Sequence, residues 1–258
     1  MCRFKSGIIL KSMAVIAPGS DDSHSTLLKN MGIEDSYINA SKVFVRAELI
    51  PQTDEWWTSP EERPDKWKFI VDQDIVPDWF DAEAHEKVFR ESVCDWWKRH
   101  VLIDQKIDEL SSGYYRLKRC EVKTLYKDVQ VMLSSSTVQA MYDSSTVNEM
   151  RGNSTVNEMR DSSTVQAMRG NSTVNEMWGN SAVQVMSSSS TVQAMWDSST
   201  VNEMWDSSTV NEMLSNSTVQ AMYDSSIVRS FKEYPKIQIF VPNMGNFDMV
   251  SFKNKSED

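Results

Sequence analysis

Residues 143–160 read Asp-Ser-Ser-Thr-Val-Asn-Glu-Met-Arg-Gly-Asn-Ser-Thr-Val-Asn-Glu-Met-Arg, one nine-residue phrase written twice. The phrase runs in both directions from there without an insertion. Valine falls at 129, 138, 147, 156, 165, 174, 183, 192, 201, 210, 219 and 228. Methionine follows three residues later, from Met132 to Met222, and Phe231 takes the last such place. A period of nine fits neither the heptad nor the 11-residue repeat of supercoiled helices. Ser, Thr, Asn, Val and Gly are poor helix formers, and Ser-Thr-Val favours a strand. Fixed-period self-similarity of this kind marks a solenoid.

Nine residues are too few to circle a core, because two short strands and two turns need roughly twice that number. Two nonapeptides per turn give an 18-residue coil. Twelve copies then predict about six coils of a mainly β, parallel β-solenoid, spaced about 4.8 Å apart. Ser134–Met141 recurs unchanged as Ser188–Met195, 54 residues on, and 54 is three such coils.

Within Asp143–Arg151, Val147 and Met150 are the large apolar residues and should face inward as ladders. They have opposite strand parity, so the chain must bend near Asn148-Glu149. Ser145 should also face inward, with its hydroxyl bonded to a neighbouring backbone group. A second bend belongs at Asp143-Ser144, where Asp, Gly, Asn and Ser supply turn chemistry. A stack of this kind needs caps, because its ends expose strand edges and apolar core.

Residues 1–128 have another character. They hold Trp56, Trp57, Trp67, Trp79, Trp96 and Trp97 and all three histidines, His24, His85 and His100. Phe4–Leu10 and Met13–Ile16 read as a hairpin, Ser23–Met31 as a short helix, and Val43–Ile50 and Lys66–Val71 as strands. Apolar residues at helical spacing give a helix from Ala82 to His100. Ile107–Leu110 reads as an extension of that helix or a short turn, and Gly113–Tyr126 as one or two strands. The expected organisation is an α+β domain over 1–128 capping the solenoid, the repeat over 129–231, and a C-terminal cap and tail over 232–258. That cap is read as a β-hairpin of Lys236–Val241 with Met249–Phe252.

Val43-Phe44-Val45-Arg46-Ala47-Glu48-Leu49, the run from Lys66 to Trp79 (Lys-Trp-Lys-Phe-Ile-Val-Asp-Gln-Asp-Ile-Val-Pro-Asp-Trp) and the Asn-Ser-Thr-Val-x-x-Met array together resemble a bacterial and phage family with no assigned function. Its members join such an N-terminal domain to a polar, pentapeptide-like repeat array. The resemblance covers nearly the whole chain and implies no activity. The period of nine sets this array apart from true pentapeptide repeats.

Net charge is −10, and residues 129–231 hold ten acidic and four basic side chains. That balance disfavours nucleic-acid binding through a basic patch. Cys2, Cys94 and Cys120 are odd in number and lack metal or disulfide spacing, which fits a reducing cytoplasm, or the host cytosol or a virion if the chain is phage-encoded. No signal-peptide core and no membrane-length apolar run is present.

No catalytic constellation stands out, and no cofactor or metal is expected. Asp72, Asp74, Asp78 and Asp81 gather near Trp79 and His85 and read as a metal or acid/base site, though they match no ligand pattern; the competing reading is a polar turn with Asp78 or Asp81 as helix cap. The array lacks the Gly-Gly-x-Gly-x-Asp turn of calcium-binding β-rolls. Its Thr rows stand one rank per face, which argues against ice binding.

The ninth position is more telling. One column reads Tyr142, Arg160, Trp178, Trp196, Leu214, and the other Leu133, Arg151, Arg169, Ser187, Trp205, Tyr223. These should be solvent-facing and close enough to stack. Tyr142, Arg160, Trp178, Trp196, Arg151, Arg169, Trp205 and Tyr223 form the candidate binding stripe, since Trp, Tyr and Arg dominate interface hot spots. The competing reading is a stack that stabilises the turns. The expected function is a non-enzymatic structural or protein-interaction role with a protein partner. The alternatives are an acidic DNA-mimicking inhibitor of a nucleic-acid enzyme, and an enzyme seated in residues 1–128.

Overall fold

A computed structural model describes residues 4–53 and 55–232, with the backbone of 236–237. The chain divides into two compact units, residues 1–103 with 113–118, and residues 104–112 with 119–258.

The first unit is α+β. Strands β1 (Lys5–Leu10) and β2 (Met13–Ile16) form the expected hairpin. With β3 (Val45–Pro51) and β4 (Trp67–Val71) they make an antiparallel sheet of order β2-β1-β3-β4. Helix α1 (His24–Asn30) starts at Ser23, whose hydroxyl accepts the Thr26 N–H. It buries Leu27 and Leu28 in a cluster with Ile8 and Phe44. A one-turn helix, α2 (Tyr37–Ala40), was not foreseen. Helix α3 (Ala82–His100) has the expected bounds and buries Phe89, Val93 and Trp96. Buried indoles find acceptors: Trp67 Nε1 donates to the Thr58 carbonyl at 3.0 Å and Trp96 Nε1 to that of Pro18 at 3.2 Å.

The second unit is a parallel β-solenoid of about seven turns, most of them 18 residues long. One sheet carries Thr137–Met141, Thr155–Met159, Thr173–Met177, Thr191–Met195, Thr209–Met213 and Ile227–Phe231 in that order. The other carries Thr146–Arg151, Thr164–Met168, Ala182–Met186, Thr200–Met204 and Thr218–Met222. The register is the predicted one: Val138 pairs with Val156 and Val174, and Met141 with Met159 and Met177, each step 18 residues. The repeat-position valines, every ninth residue from Val138 to Val219, and the methionines from Met141 to Met213 are fully buried. The inter-coil pairing skips the Asn/Gln column, as between Val156 and Glu158, which places the break where Val and Met need it to share one core.

Four expectations change. The turns exceed six because Lys106–Leu110 and Glu121–Leu125 are also solenoid strands, and neither a helix extension nor an isolated turn. Ile107 pairs with Val122, and Val122 with Val138, so the early coils hold 15 and 16 residues. The first nonapeptide is displaced as well. Val131 and Leu133, rather than Val129 and Met132, pair with Val147 and Met150. Leu133 is therefore buried and does not belong to the exposed column. Its cause is the strict alternation of Val131 and Leu133, which needs no bend and forces a bulge in the neighbouring strand between Val147 and Glu149. Lys236–Ile237 continues the second sheet in parallel, one coil beyond Thr218–Val219. The remainder of the C-terminal hairpin expectation lies outside the described residues.

The fourth concerns serine. Ser145 and its equivalents are fully buried, but few meet the expected backbone partner. Ser154 donates to the Arg151 carbonyl at 2.7 Å, whereas Ser145, Ser163, Ser172, Ser181 and Ser190 have no hydroxyl partner among the described residues. Rotation into the Ser154 rotamer would satisfy them, because the same carbonyl recurs in each copy; that of Tyr142 already accepts the Ser145 N–H at 3.1 Å.

The turns explain the aspartates. Asp143, Asp161, Asp197, Asp206 and Asp224 share a left-handed backbone with Gly152, Gly170 and Gly179, at φ between 54° and 70°. Each coil then supports the one before it. The Ser188 N–H donates to Asp206 Oδ2 at 2.8 Å and the Gly179 N–H to Asp197 Oδ2 at 3.1 Å, 18 residues on. Removing one whole coil, Val147–Thr164, should preserve these relations. The shortened chain is expected to keep its β circular dichroism and a cooperative melt; failure to fold would count against interchangeable coils.

Candidate functional site

The ninth-position side chains sit where each strand gives way to a turn, and the 18-residue register lays them out in the two predicted columns. Trp178 and Trp196 stack with centroids 4.8 Å apart and planes within 2°. Trp205 and Tyr223 stack at 3.9 Å and 14°. Backbone bonds fix the column: the Trp178 N–H donates to the Met159 carbonyl and the Trp196 N–H to that of Met177. Tyr142 stacks on Tyr126 at 5.2 Å, which extends the first column one coil upstream. Tyr126 was missed because it precedes the repeat, although Leu125-Tyr126 echoes Met141-Tyr142.

These side chains also fold back onto glutamates of their own strand. Arg151 pairs with Glu149 at 2.8 Å, and Arg169, one coil on, reaches the same carboxylate at 3.3 Å. Arg160 pairs with Glu158 at 2.8 Å, and that carboxylate holds the guanidinium above its ordinary range. Trp178 Nε1 donates to Glu176 at 3.0 Å and Trp205 Nε1 to Glu203 at 2.9 Å. Trp196 follows Ala194 and its indole N–H has no partner among the described residues. Arg151, Arg160, Arg169 and Trp205 are exposed; Tyr142, Trp178, Trp196 and Tyr223 are half-buried, and Leu214 is buried. Stacked rings cover one another's faces. What the columns offer outward is ring edges, one face of Trp205 beside Ser187, and guanidinium groups.

The aspartates near Trp79 do not converge. Asp81 caps α3, its Oδ1 accepting the Ala84 N–H at 2.9 Å, and Asp74 and Asp78 are exposed. Trp79 Nε1 donates to the Lys42 carbonyl at 2.7 Å. Asp72 faces His24 instead, at 3.4 Å.

The architecture defines a repeat protein: a parallel β-solenoid with ordered aromatic and arginine columns, joined in one chain to an α+β unit. Comparison with protein-family models, with curated proteins and with solved structures finds no match to this chain. No helix among the described residues is long and apolar enough to cross a membrane.

Proposed function

We propose that the chain is a non-enzymatic interaction protein whose solenoid presents the two ninth-position columns to a protein partner in a reducing compartment. The observation that carries this reading is the regular placement at turn positions of exposed Arg151, Arg160, Arg169 and Trp205 beside half-buried Trp178 and Trp196. There the backbone, rather than the side chain, holds the fold together. Cys94 and Cys120 form no disulfide among the described residues, in keeping with the compartment.

DNA mimicry needs rows of uncommitted negative charge. Here Glu149, Glu158 and Glu212 pair with Arg or Lys, and Asp161, Asp197, Asp206 and Asp224 accept backbone N–H groups of the preceding coil. The local commitment of these carboxylates favours display over mimicry.

Changing Arg160, Trp178 and Trp196 together to Ser tests the reading. Exposed stacking and cation–π contacts contribute on the order of 0.5–1 kcal/mol each, so stability should fall only slightly. Hot-spot side chains of these types cost about 2 kcal/mol or more apiece on truncation. Partner captured by the wild type and titrated against both chains should therefore bind the variant at least a hundredfold more weakly. Unchanged affinity with a large drop in melting temperature would make the column structural and sink the proposal.

A further inference from the structure

A second feature, in the α+β unit, is independent of the columns. His24 opens α1, Glu48 lies in the middle of β3, and Asp72 follows the last residue of β4. Sheet pairing brings the last two together: Ala47 is opposite Val71, and the Asp72 N–H donates to the Arg46 carbonyl at 2.9 Å. The Ser23 cap sets the first turn of α1 above them. One donor atom from each of His24, Glu48 and Asp72 lies within 4.8 Å of the other two.

The histidine is oriented as a ligand. A carbonyl can only accept, so the 3.1 Å contact of Nε2 with the Ala47 carbonyl places the ring proton on Nε2. Nδ1 is the atom that faces Asp72 Oδ2 at 3.4 Å, and in the neutral ring it carries the lone pair. Metal-bound imidazoles are commonly held in this way by a carbonyl on the far nitrogen. Two ligands at about 2.0–2.1 Å from a tetrahedral ion are roughly 3.3–3.4 Å apart, so the observed separation needs little adjustment.

Glu48 supplies the independent sign. It is 7 % exposed, and its carboxylate lies beside the ring of His24 and the carboxylate of Asp72. A carboxylate so largely withdrawn from water is favoured by a cation beside it. Two nearby cations are already committed. Arg46 is bonded to Asp35, and Lys5 to Asp22 at 2.6 Å. An open cleft of about 620 Å³, lined by Asp21, Asp22, Asp35 and Asp72 among others, leads to the histidine. Lys5 and Arg46 offset Asp22 and Asp35, which leaves Asp21 and Asp72 to draw a divalent cation into the cleft.

We propose that His24 Nδ1, Glu48 and Asp72 bind a divalent first-row transition ion, with zinc the best fit. One imidazole and two carboxylates suit zinc better than magnesium or calcium, which prefer all-oxygen shells. Three protein ligands leave one position for water or a small anion from the cleft.

The test is zinc titration of the full chain by calorimetry and chelator competition, with magnesium and calcium as parallel arms. Wild type should take up one zinc ion at micromolar or lower Kd. Asp72→Asn changes an exposed side chain and should fold normally; it should weaken binding by on the order of 100-fold, and Glu48→Gln similarly. Cobalt substitution should give the spectrum of a nitrogen and oxygen site without thiolate charge transfer, which separates this site from Cys94 and Cys120. Absence of zinc uptake, binding unchanged in Asp72→Asn, or preference for magnesium or calcium would each overturn the proposal.

Discussion

Replacing Val174 and Met177 together by Asp should abolish cooperative unfolding of the solenoid. Both side chains are fully buried, in ladders with Val156 and Val192 and with Met159 and Met195. A carboxylate held there without a partner costs several kcal/mol, and two of them approach the whole margin of about 5–15 kcal/mol by which folded domains persist. Their site is the middle of the array, so the coils on either side lose a neighbour as well. Gln184→Asp with Gln220→Asp adds the same charge at exposed positions and should leave the melt nearly unchanged. Hydrogen exchange resolved along the chain is the decisive measurement. Equal protection of Val156–Met195 in the core variant and the wild type would mean that these residues are not the core.

Gly7→Val should unfold the α+β unit. A Cβ at Gly7 would lie 2.7 Å from Phe89 Cε2, 2.7 Å from the Val15 carbonyl oxygen and 2.8 Å from Ile16 Cδ1. The Phe89 ring is buried, and the carbonyl belongs to the β1–β2 pairing, so neither can give way without moving the hairpin or α3. Overpacking by a methyl group costs about 1–3 kcal/mol, and a branched side chain at such distances more. Gly7→Ala should therefore be measurably destabilised, and Gly7→Val should fail to form the unit. Tryptophan fluorescence in urea, in a chain with Trp178, Trp196 and Trp205 changed to Phe, reports this directly, since Trp56, Trp57, Trp67, Trp79, Trp96 and Trp97 all lie in the unit. An unchanged midpoint for Gly7→Val would show that β1 and α3 do not pack as described.

The solenoid was legible because its information is periodic. The spacing of Val and Met fixes the period, their opposite parity requires the bend, and the length of a circuit requires two nonapeptides per turn. Where identity drifts, the period fades although the spacing persists. Ile107 and Leu110, and Val122 and Leu125, keep the three-residue step of Val and Met with leucine in the second place. That step was the available signal for the early coils. The displaced first copy shows the converse: Val129 and Met132 match the phrase, yet Val131 and Leu133 alternate and take the ladder. Of the proposed zinc ligands only Asp72 stood out in the sequence, and with the wrong neighbours. His24, Glu48 and Asp72 meet through a helix cap and a strand register, and no local spacing relates them.

The methionine ladder has one more consequence. Its side chains are unbranched and polarisable, able to fill a core whose coils differ in turn residue and in length. They are also the residues that peroxide converts to polar sulfoxides, which disrupt apolar cores. From Met141 to Met213 these thioethers are fully shielded, so their resistance to oxidation is a property of the closed stack and not of the residues themselves. A coil that opens exposes its own sulfur. Once oxidised, that sulfur no longer fits between its neighbours, so a brief opening would leave a lasting chemical mark at the place where the stack parted.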